Sequence, residues 1–441
     1  MSNDLIEIIR SNGIVGAGGA GFPAHVKFSA KAEYVILNCA ECEPLLRVDQ
    51  QLIILYADEI IGALEQIMKQ VEAKRVFIGI KKKHKEATYI LEEKLREHIS
   101  IVVFPLVDFY PAGDEQTLVN EITGRIVPEA GIPLKVGCIV TNVETVLNLS
   151  NALKGKPVTH TYLTITGKVI KPVTLRLPVG ISVREVLNLA GIHDISSIQV
   201  IDGGPMMGKV VADIDSPITK TTKGLVVLPK EHILIIRKNM TPEMAIHQSK
   251  AACLQCRMCT DLCPRYLFGH NLQPHLMMRK SNYDKGNNIE GSEMASLCCE
   301  CSICELYVCP ANLSPRLINI KYKQKLQEKK IKYIPLKNIY TEQPSKEYRK
   351  IPVKRLIGKL GLRVFDVEAP LEEMNYEPKK VKIPLKQHIG SPCIPVVQLG
   401  QLVNLGDLLG EIPENALGAR THASIDGIVT EISNYIQIER I

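Results

Sequence analysis

The sequence predicts a multidomain protein that mixes α/β and α+β units, and three observations carry that reading. Short apolar strands alternate with amphipathic helices over residues 1–155, the pattern of a parallel sheet. From residue 156 the pattern turns to paired strands around Pro and Gly turns, which predicts a compact β-grasp over residues 156–238. Nine of the thirteen cysteines fall between residues 253 and 309, placing a helical, metal-binding unit at residues 239–330. A Pro- and Lys-rich linker is expected at residues 331–376, and a small β sandwich at residues 377–441.

In the first unit, residues 5–10 read as a short helix that leads into Gly13-Ile-Val-Gly16-Ala17-Gly18-Gly19-Ala-Gly21-Phe-Pro23. Glycines let a backbone approach a ligand closely and turn its amides toward a phosphate or a flat ring. Such a run alone is more often an ordinary turn, so the context decides. Strands are expected at residues 34–37, 75–80 and 101–107, and helices at 50–71 and 85–98. Polar groups follow the strands at Asn38-Cys39-Ala40-Glu41-Cys42-Glu43-Pro44, at Tyr110-Pro-Ala-Gly113-Asp114-Glu115 and at Asn142-Val-Glu144-Thr145. The carboxyl ends of strands are where open α/β sheets bind ligands. Cys39 and Cys42 supply only two ligands and read as pocket lining.

In the second unit, residues 161–169 and 173–178 form a hairpin around Lys171-Pro172, residues 183–190 a helix, and residues 198–201 a strand ending in Asp202-Gly203-Gly204-Pro205. The turn with Met206, Met207 and Gly208 reads as core packing.

The third unit holds the strongest motif. Cys253, Cys256, Cys259 and Cys263-Pro264 follow the spacing C-x2-C-x2-C-x3-C-P, and Cys298, Cys301, Cys304 and Cys309-Pro310 repeat it with one extra residue. This is the spacing of bacterial ferredoxin-like two-cluster units, in which the fourth cysteine of each run ligates the other cluster. The expected ligand sets are Cys253, Cys256, Cys259 and Cys309 for one 4Fe-4S cluster, and Cys298, Cys301, Cys304 and Cys263 for the second. Zinc would need paired hooks separated by a longer loop. Cys299 reads as a buried or spare thiol, and His270 and His275 as surface groups or supports near the saturated clusters. Residues 242–250 form a lead-in helix, 269–278 a connector, and 314–330 a helix packed on the second cluster.

The linker carries one expected helix at residues 353–359. The sandwich is expected to have strands at 396–399, 407–412, 427–432 and 436–439.

Composition narrows the function classes. Hydrophobic content of 45% and charge of 23% are ordinary for a globular protein, and thirteen cysteines point to a reducing, cytoplasmic setting and metal ligation. No apolar run reaches the length of a transmembrane segment. The net charge is +7, and residues 316–337 carry eight basic residues against Glu328. That run reads as a solvated helix face; sparse aromatics and no reader motif argue against nucleic acid.

The glycine loop and the three polar segments resemble the FMN and NADH site in the flavoprotein subunit of respiratory complex I. The resemblance implies cofactor-binding roles for Gly16, Gly18, Gly19, Lys27, Asn38, Glu41, Gly113, Glu115, Asn142 and Thr145, with Lys27 at the flavin phosphate. Ala17, Ala40 and Asp114 depart from that family's pattern, and no residue is singled out as catalytic. Residues 156–238 resemble soluble-ligand-binding β-grasp (SLBB) domains. Gln387-His-Ile-Gly390 and His422-Ala-Ser-Ile-Asp-Gly427 resemble the barrel-sandwich domain of the RnfC protein of Rnf complexes. The whole order is similar to the cobalamin reductases of propanediol-utilization microcompartments. That resemblance implies an FMN and iron–sulfur oxidoreductase that takes electrons from NADH and reduces cobalamin from Co(III) to Co(I) beside diol dehydratase. It also implies a bacterial microcompartment location, with a shell protein and a corrinoid adenosyltransferase as partners. The other reading is an electron-entry protein, RnfC-like, that serves a membrane complex or another reductase. In a third, the sandwich and the basic segment tether the protein to a shell component, so deleting residues 381–441 would abolish co-purification and spare flavin reduction.

Overall fold

The computed structural model describes residues 2–285, 287–374 and 376–441; Met1, Gly286 and Asn375, which fall in the predicted first unit, cysteine unit and linker, lie outside the described residues. The first sheet runs Ile101–Leu106, Arg75–Lys81, Tyr34–Cys39, Cys138–Asn142, and every neighbouring pair is parallel. Tyr34–Cys39 is nearly all apolar because both faces of the sheet are covered. Helices Val48–Gln70 and Val143–Leu153 pack on one face and Glu115–Thr123 on the other. This layering brings the loops after Cys39, Leu106 and Asn142 to one edge.

The helix expected at 85–98 ends at Lys94, because the chain must turn through His98 to enter the strand that begins at Ile101. Helix Val48–Gln70 is interrupted at Tyr56, whose ring meets Tyr162 of the next unit.

The second sheet is mixed, in the order Leu371–Glu372, Val173–Pro178, His160–Gly167, Gly224–Pro229, Ile198–Asp202, Lys209–Val210. Gly224–Pro229 lies parallel to His160–Gly167 and antiparallel to Ile198–Asp202, and helix Val183–Leu189 fills the concave face. The first strand stops at Gly167 instead of continuing to residue 169. Gly167 has φ +96°, and a Cβ there would lie 2.0 Å from the Val227 carbonyl oxygen, so only glycine can end the strand this way.

Between helix Pro242–Ala252 and the longer Pro315–Glu328, most of the cysteines lie in loops, with Cys259 and Cys304 in short helical turns. The expected connector at 269–278 instead enters helix Pro274–Asp284, started by a proline that needs no amide partner in the first turn.

Residues 331–376 do not behave as a linker. Ile351–Pro352 pairs with Phe109–Tyr110, and Leu371–Glu372 extends the second sheet. Ile351, Val353, Leu356, Ile357, Leu360 and Leu362 are buried in a core shared with Tyr110, Met206, Ile303 and Leu306. The Pro and Lys content masked an apolar stripe that straps three units together.

The C-terminal sandwich pairs Lys380–Pro384, Tyr435–Glu439, Gly427–Ile432 and Leu402–Val403 against Ile394–Pro395, Leu408–Glu411 and Thr421–His422. The strand expected at 396–399 is absent: Val396 is exposed just past strand Ile394–Pro395 and Leu399 is exposed in a turn, so their apolar character did not report a buried face.

Candidate functional site

The glycine loop closes on itself, with the Gly16 amide donating to the Phe22 carbonyl (2.8 Å) and the Gly21 amide to the Gly16 carbonyl (3.1 Å). Its far side is held by Thr145, whose hydroxyl accepts from the Ala17 amide at 2.9 Å. A Cβ on Gly18 would meet the Asn142 side chain at 3.5 Å, whereas Gly19, at φ +102°, faces open space. Asn38 donates to the Gly113 carbonyl at 2.9 Å, and a Cβ on Gly113 would touch the Cys42 sulfur. The four predicted segments therefore converge at the carboxyl edge of the parallel sheet.

A buried polar cluster lies in this convergence. Glu41, in a left-handed conformation at φ +35°, accepts from the Asp49 amide at 3.0 Å. Asn142 donates to the Asp49 carboxylate at 2.9 Å and, with its oxygen, caps helix Val143–Leu153 through the Glu144 amide. One oxygen each of Glu41 and Asp49 is buried with no hydrogen-bond partner among the described residues. Burial, then the neighbouring Asp49, pushes Glu41 up to about 7, and burial also raises Asp49. Lys223, brought in by the second unit, ion-pairs with Glu144, and burial lowers its ammonium to about 8. Open space at Gly19 and unpartnered buried oxygens are what a hydrogen-bonding flavin would fill, so the residues fit FMN. Asp49 and Lys223 were not found from sequence: Asp49 falls just before the expected helix at 50–71 and outside every motif, and Lys223 belongs to another unit.

Lys27 donates to the Val140 carbonyl at 2.8 Å and to Glu115 at 3.1 Å. These two predicted residues are thus partners of each other. Cys39 is buried in the core beneath the sheet edge.

The cysteines gather in two cavities. Cys253, Cys256, Cys259 and Cys309 line one, with His275, whose Nδ1 lies 2.7 Å from the Thr260 hydroxyl. Cys263, Cys298, Cys301 and Cys304 line the other, and Cys299 reaches it too. The first cavity draws three thiols from the first run and one from the second; the other draws one from the first run and, with Cys299, four from the second. Four thiols around one space are the donor set of a 4Fe-4S cube. Among the described residues no three His, Cys, Asp or Glu side chains close around a single ion. His270 is not at the surface: it is buried, 2.9 Å from the Val127 carbonyl and edge-on to Tyr340.

Three contacts join the flavin-type edge to the second cavity. Asp114 caps helix Glu115–Thr123 and forms a two-pronged pair with Arg265, both bonds 2.7 Å, two residues beyond Cys263. The Tyr110 hydroxyl donates to the Cys301 carbonyl at 2.8 Å. The Glu43 carboxylate accepts from the Met206 and Met207 amides, both at 2.8 Å, while the Ser302 hydroxyl donates to the Met206 carbonyl at 2.9 Å. The Gly203–Gly208 turn is a junction: a Cβ on Gly204 would collide with Glu43.

Comparison with known proteins agrees with this layout. Residues 9–151 match the Nuo51 FMN-binding domain, residues 252–314 a 4Fe-4S dicluster domain, and residues 365–440 the RnfC barrel sandwich hybrid domain. The chain is 45% identical to cobalamin reductase PduS of Citrobacter freundii, over 97% of this chain and 94% of that protein. To its counterpart in Salmonella typhimurium it is 43% identical, over 98% and 95%. The chain belongs to the cobalamin reductase PduS family. The chain is also 34% identical to a component of the Na(+)-translocating ferredoxin:NAD(+) oxidoreductase complex of Acetobacterium woodii, over 65% of this chain and 64% of that one. An NAD+-reducing NiFe-hydrogenase in its air-oxidized state shares the fold at 18% identity and TM-score 0.50, over 79% of this chain and 65% of that one. In this family member no described helix is long and apolar enough to cross a membrane.

Proposed function

We propose that the chain is an NADH-dependent cobalamin reductase that uses FMN and two 4Fe-4S clusters to take Co(III) corrinoid through Co(II) to Co(I), recycling adenosylcobalamin for diol dehydratase. The observation that carries this reading is the direct bonding of the flavin-type edge to a cysteine cavity, through Asp114 with Arg265 and Tyr110 with Cys301. Flavin accepts an electron pair and clusters carry electrons singly, which suits a metal reduced in one-electron steps. The chain's own residues position these groups. Gly16, Gly18 and Gly19 give the ring or phosphate close backbone approach, and Asn38, Gly113, Asn142 and Thr145 fix the loop edges. Glu41 and Asp49 offer oxygens that have no partner among the described residues, and Lys27, whose ammonium also meets Glu115, is the cation for the phosphate end. Cys253, Cys256, Cys259 and Cys309 hold the outer cluster, where Cys256 is exposed; Cys263, Cys298, Cys301 and Cys304 hold the inner one.

The second sheet orders its five main strands 173–178, 160–167, 224–229, 198–202, 209–210, which supports an SLBB-type β-grasp unit. Placement in a microcompartment, with a shell protein and an adenosyltransferase as neighbours, rests on the relatives' name. The likeness to a component of an ion-translocating oxidoreductase favours a second reading, an electron conduit to another protein.

Anaerobic addition of NADH and hydroxocobalamin to the flavin-loaded protein separates the two. Protein-dependent appearance of Co(II) and trapped Co(I) is expected. Bleached flavin and clusters beside unchanged cobalamin would establish the conduit.

A further inference from the structure

Beside the cysteine cavities lies a solvent-open groove of about 460 Å³, lined by Met258, Leu262, Tyr307, Val308, Arg355, Gly358, Lys359 and Arg363. Its floor is chain adjoining the ligand candidates. Met258 precedes Cys259, Leu262 precedes Cys263, and Val308 precedes Cys309, so the groove borders both cavities. Its wall is helix Val353–Lys359 and the turn after it, from the strap that the sequence disguised as a linker. Arg355, Lys359 and Arg363 line it, and among the described residues none of the three has an ion-pair partner. Gly358 lets Arg363 lie across the helix: a Cβ there would sit 2.9 Å from the guanidinium.

We propose that this groove binds the corrinoid, with its floor of Met258, Leu262, Tyr307 and Val308 under the macrocycle and Arg355, Lys359 and Arg363 at the phosphodiester of the nucleotide loop. The inference rests on the reductase reading. Three features support it. The volume falls in the range of small-molecule sites, and the open shape allows a large, flat ligand to protrude. The floor is apolar and polarizable, including a thioether and a phenol, which suits a conjugated ring. The rim is cationic and unpartnered, and guanidinium groups match phosphate oxygens in a two-pronged way. Electron transfer falls off steeply with distance, and a ligand here touches the backbone next to cysteines of both cavities.

The test uses the full-length, cofactor-loaded protein and equilibrium dialysis against hydroxocobalamin, with reduction by NADH measured in parallel. Arg355→Glu, Lys359→Glu and Arg363→Glu together are expected to raise the cobalamin Kd about tenfold or more, the loss of at least one charge-assisted contact. Flavin bleaching by NADH and the visible absorbance of the clusters should not change. Lys354→Glu, on the same helix but outside the lining, is the control and should bind as wild type. Cobinamide, which lacks the phosphodiester, should lose less than cobalamin does. If the triple variant fails to retain its clusters, Arg363→Gln alone answers the same question by its Kd. Equal cobalamin binding by variant and wild type, or equal losses for cobalamin and cobinamide, overturns the groove while wild-type reduction keeps the reductase reading intact. Wild-type protein that neither binds nor reduces cobalamin removes both.

Discussion

Breaking the Asp114–Arg265 pair should uncouple the flavin-type edge from the cysteine loops. Both side chains are largely buried, at 16% and 8% exposure, and the pair makes two 2.7 Å bonds. Removing one partner from such a pair costs about 3–5 kcal/mol, because the other charge stays buried with too few bonds. Arg265→Met leaves Asp114 with only the Thr117 amide and hydroxyl. Asp114→Asn leaves Arg265 without its anion. The assay is a double-mutant cycle with Asp114→Asn, Arg265→Met and both, read by urea unfolding through cluster absorbance, and by stopped-flow reduction of flavin and clusters by NADH. The expected result is a coupling of about 1.5 kcal/mol or more, normal flavin bleaching and slowed cluster reduction. The acid limb gives a second check. Burial raises the Asp114 carboxyl, but the charge and hydrogen bonds of Arg265 outweigh it and hold the group below its ordinary range. Its stabilisation is therefore complete above the unfolded value of about 3.9 and lost as pH falls through the folded value. Asp114→Asn should lack that loss. Additive single-variant effects with unchanged cluster reduction would refute the reasoning.

Lys220→Met should release FMN, since its buried ammonium donates to the Gly13 carbonyl (2.8 Å) and the Arg420 carbonyl (2.7 Å), and each carbonyl left unsatisfied costs about 1–3 kcal/mol; full flavin retention by the variant would refute this. Deleting residues 377–441 should release it as well, because the Ile389 amide bonds the Gly21 carbonyl at 2.9 Å; full flavin retention would restore the sandwich to a tethering role alone. Cys259→Ala and Cys304→Ala should each remove one cube's worth of iron, and loss of none would refute the ligand sets. Glu41 has its folded value raised to about 7 from an unfolded value of about 4.3, so its contribution to stability falls as pH rises across that window. Glu41→Gln should flatten the apoprotein's thermal stability over the same range, and an unchanged slope would assign the dependence elsewhere.

The sequence by itself determined the features that chemistry writes locally. Cysteine spacing is one, because a cluster loop needs its thiols within a few residues of each other: the two runs from Cys253 and Cys298 could be read without a fold. The alternation of Tyr34–Cys39, Val48–Gln70 and Arg75–Lys81 is another, because burial on both faces leaves a continuous apolar strand. The glycine loop and Asn38, Gly113, Asn142 and Thr145 were legible for the same reason: each segment carries its own signature.

Tertiary structure alone decided what joins these parts. Lys223 and Asp49 enter the polar cluster from positions with no local sign of it, and Lys220 reaches Gly13 and Arg420 across some two hundred residues in each direction. The strap was hidden because composition averages over a segment, whereas Ile351, Leu356 and Leu362 are buried one by one. Val396 and Leu399 erred the other way, since a single apolar residue at the surface needs no core. Local sequence records which groups each loop carries; only packing between distant segments sets which groups meet, because burial depends on what arrives from elsewhere in the chain.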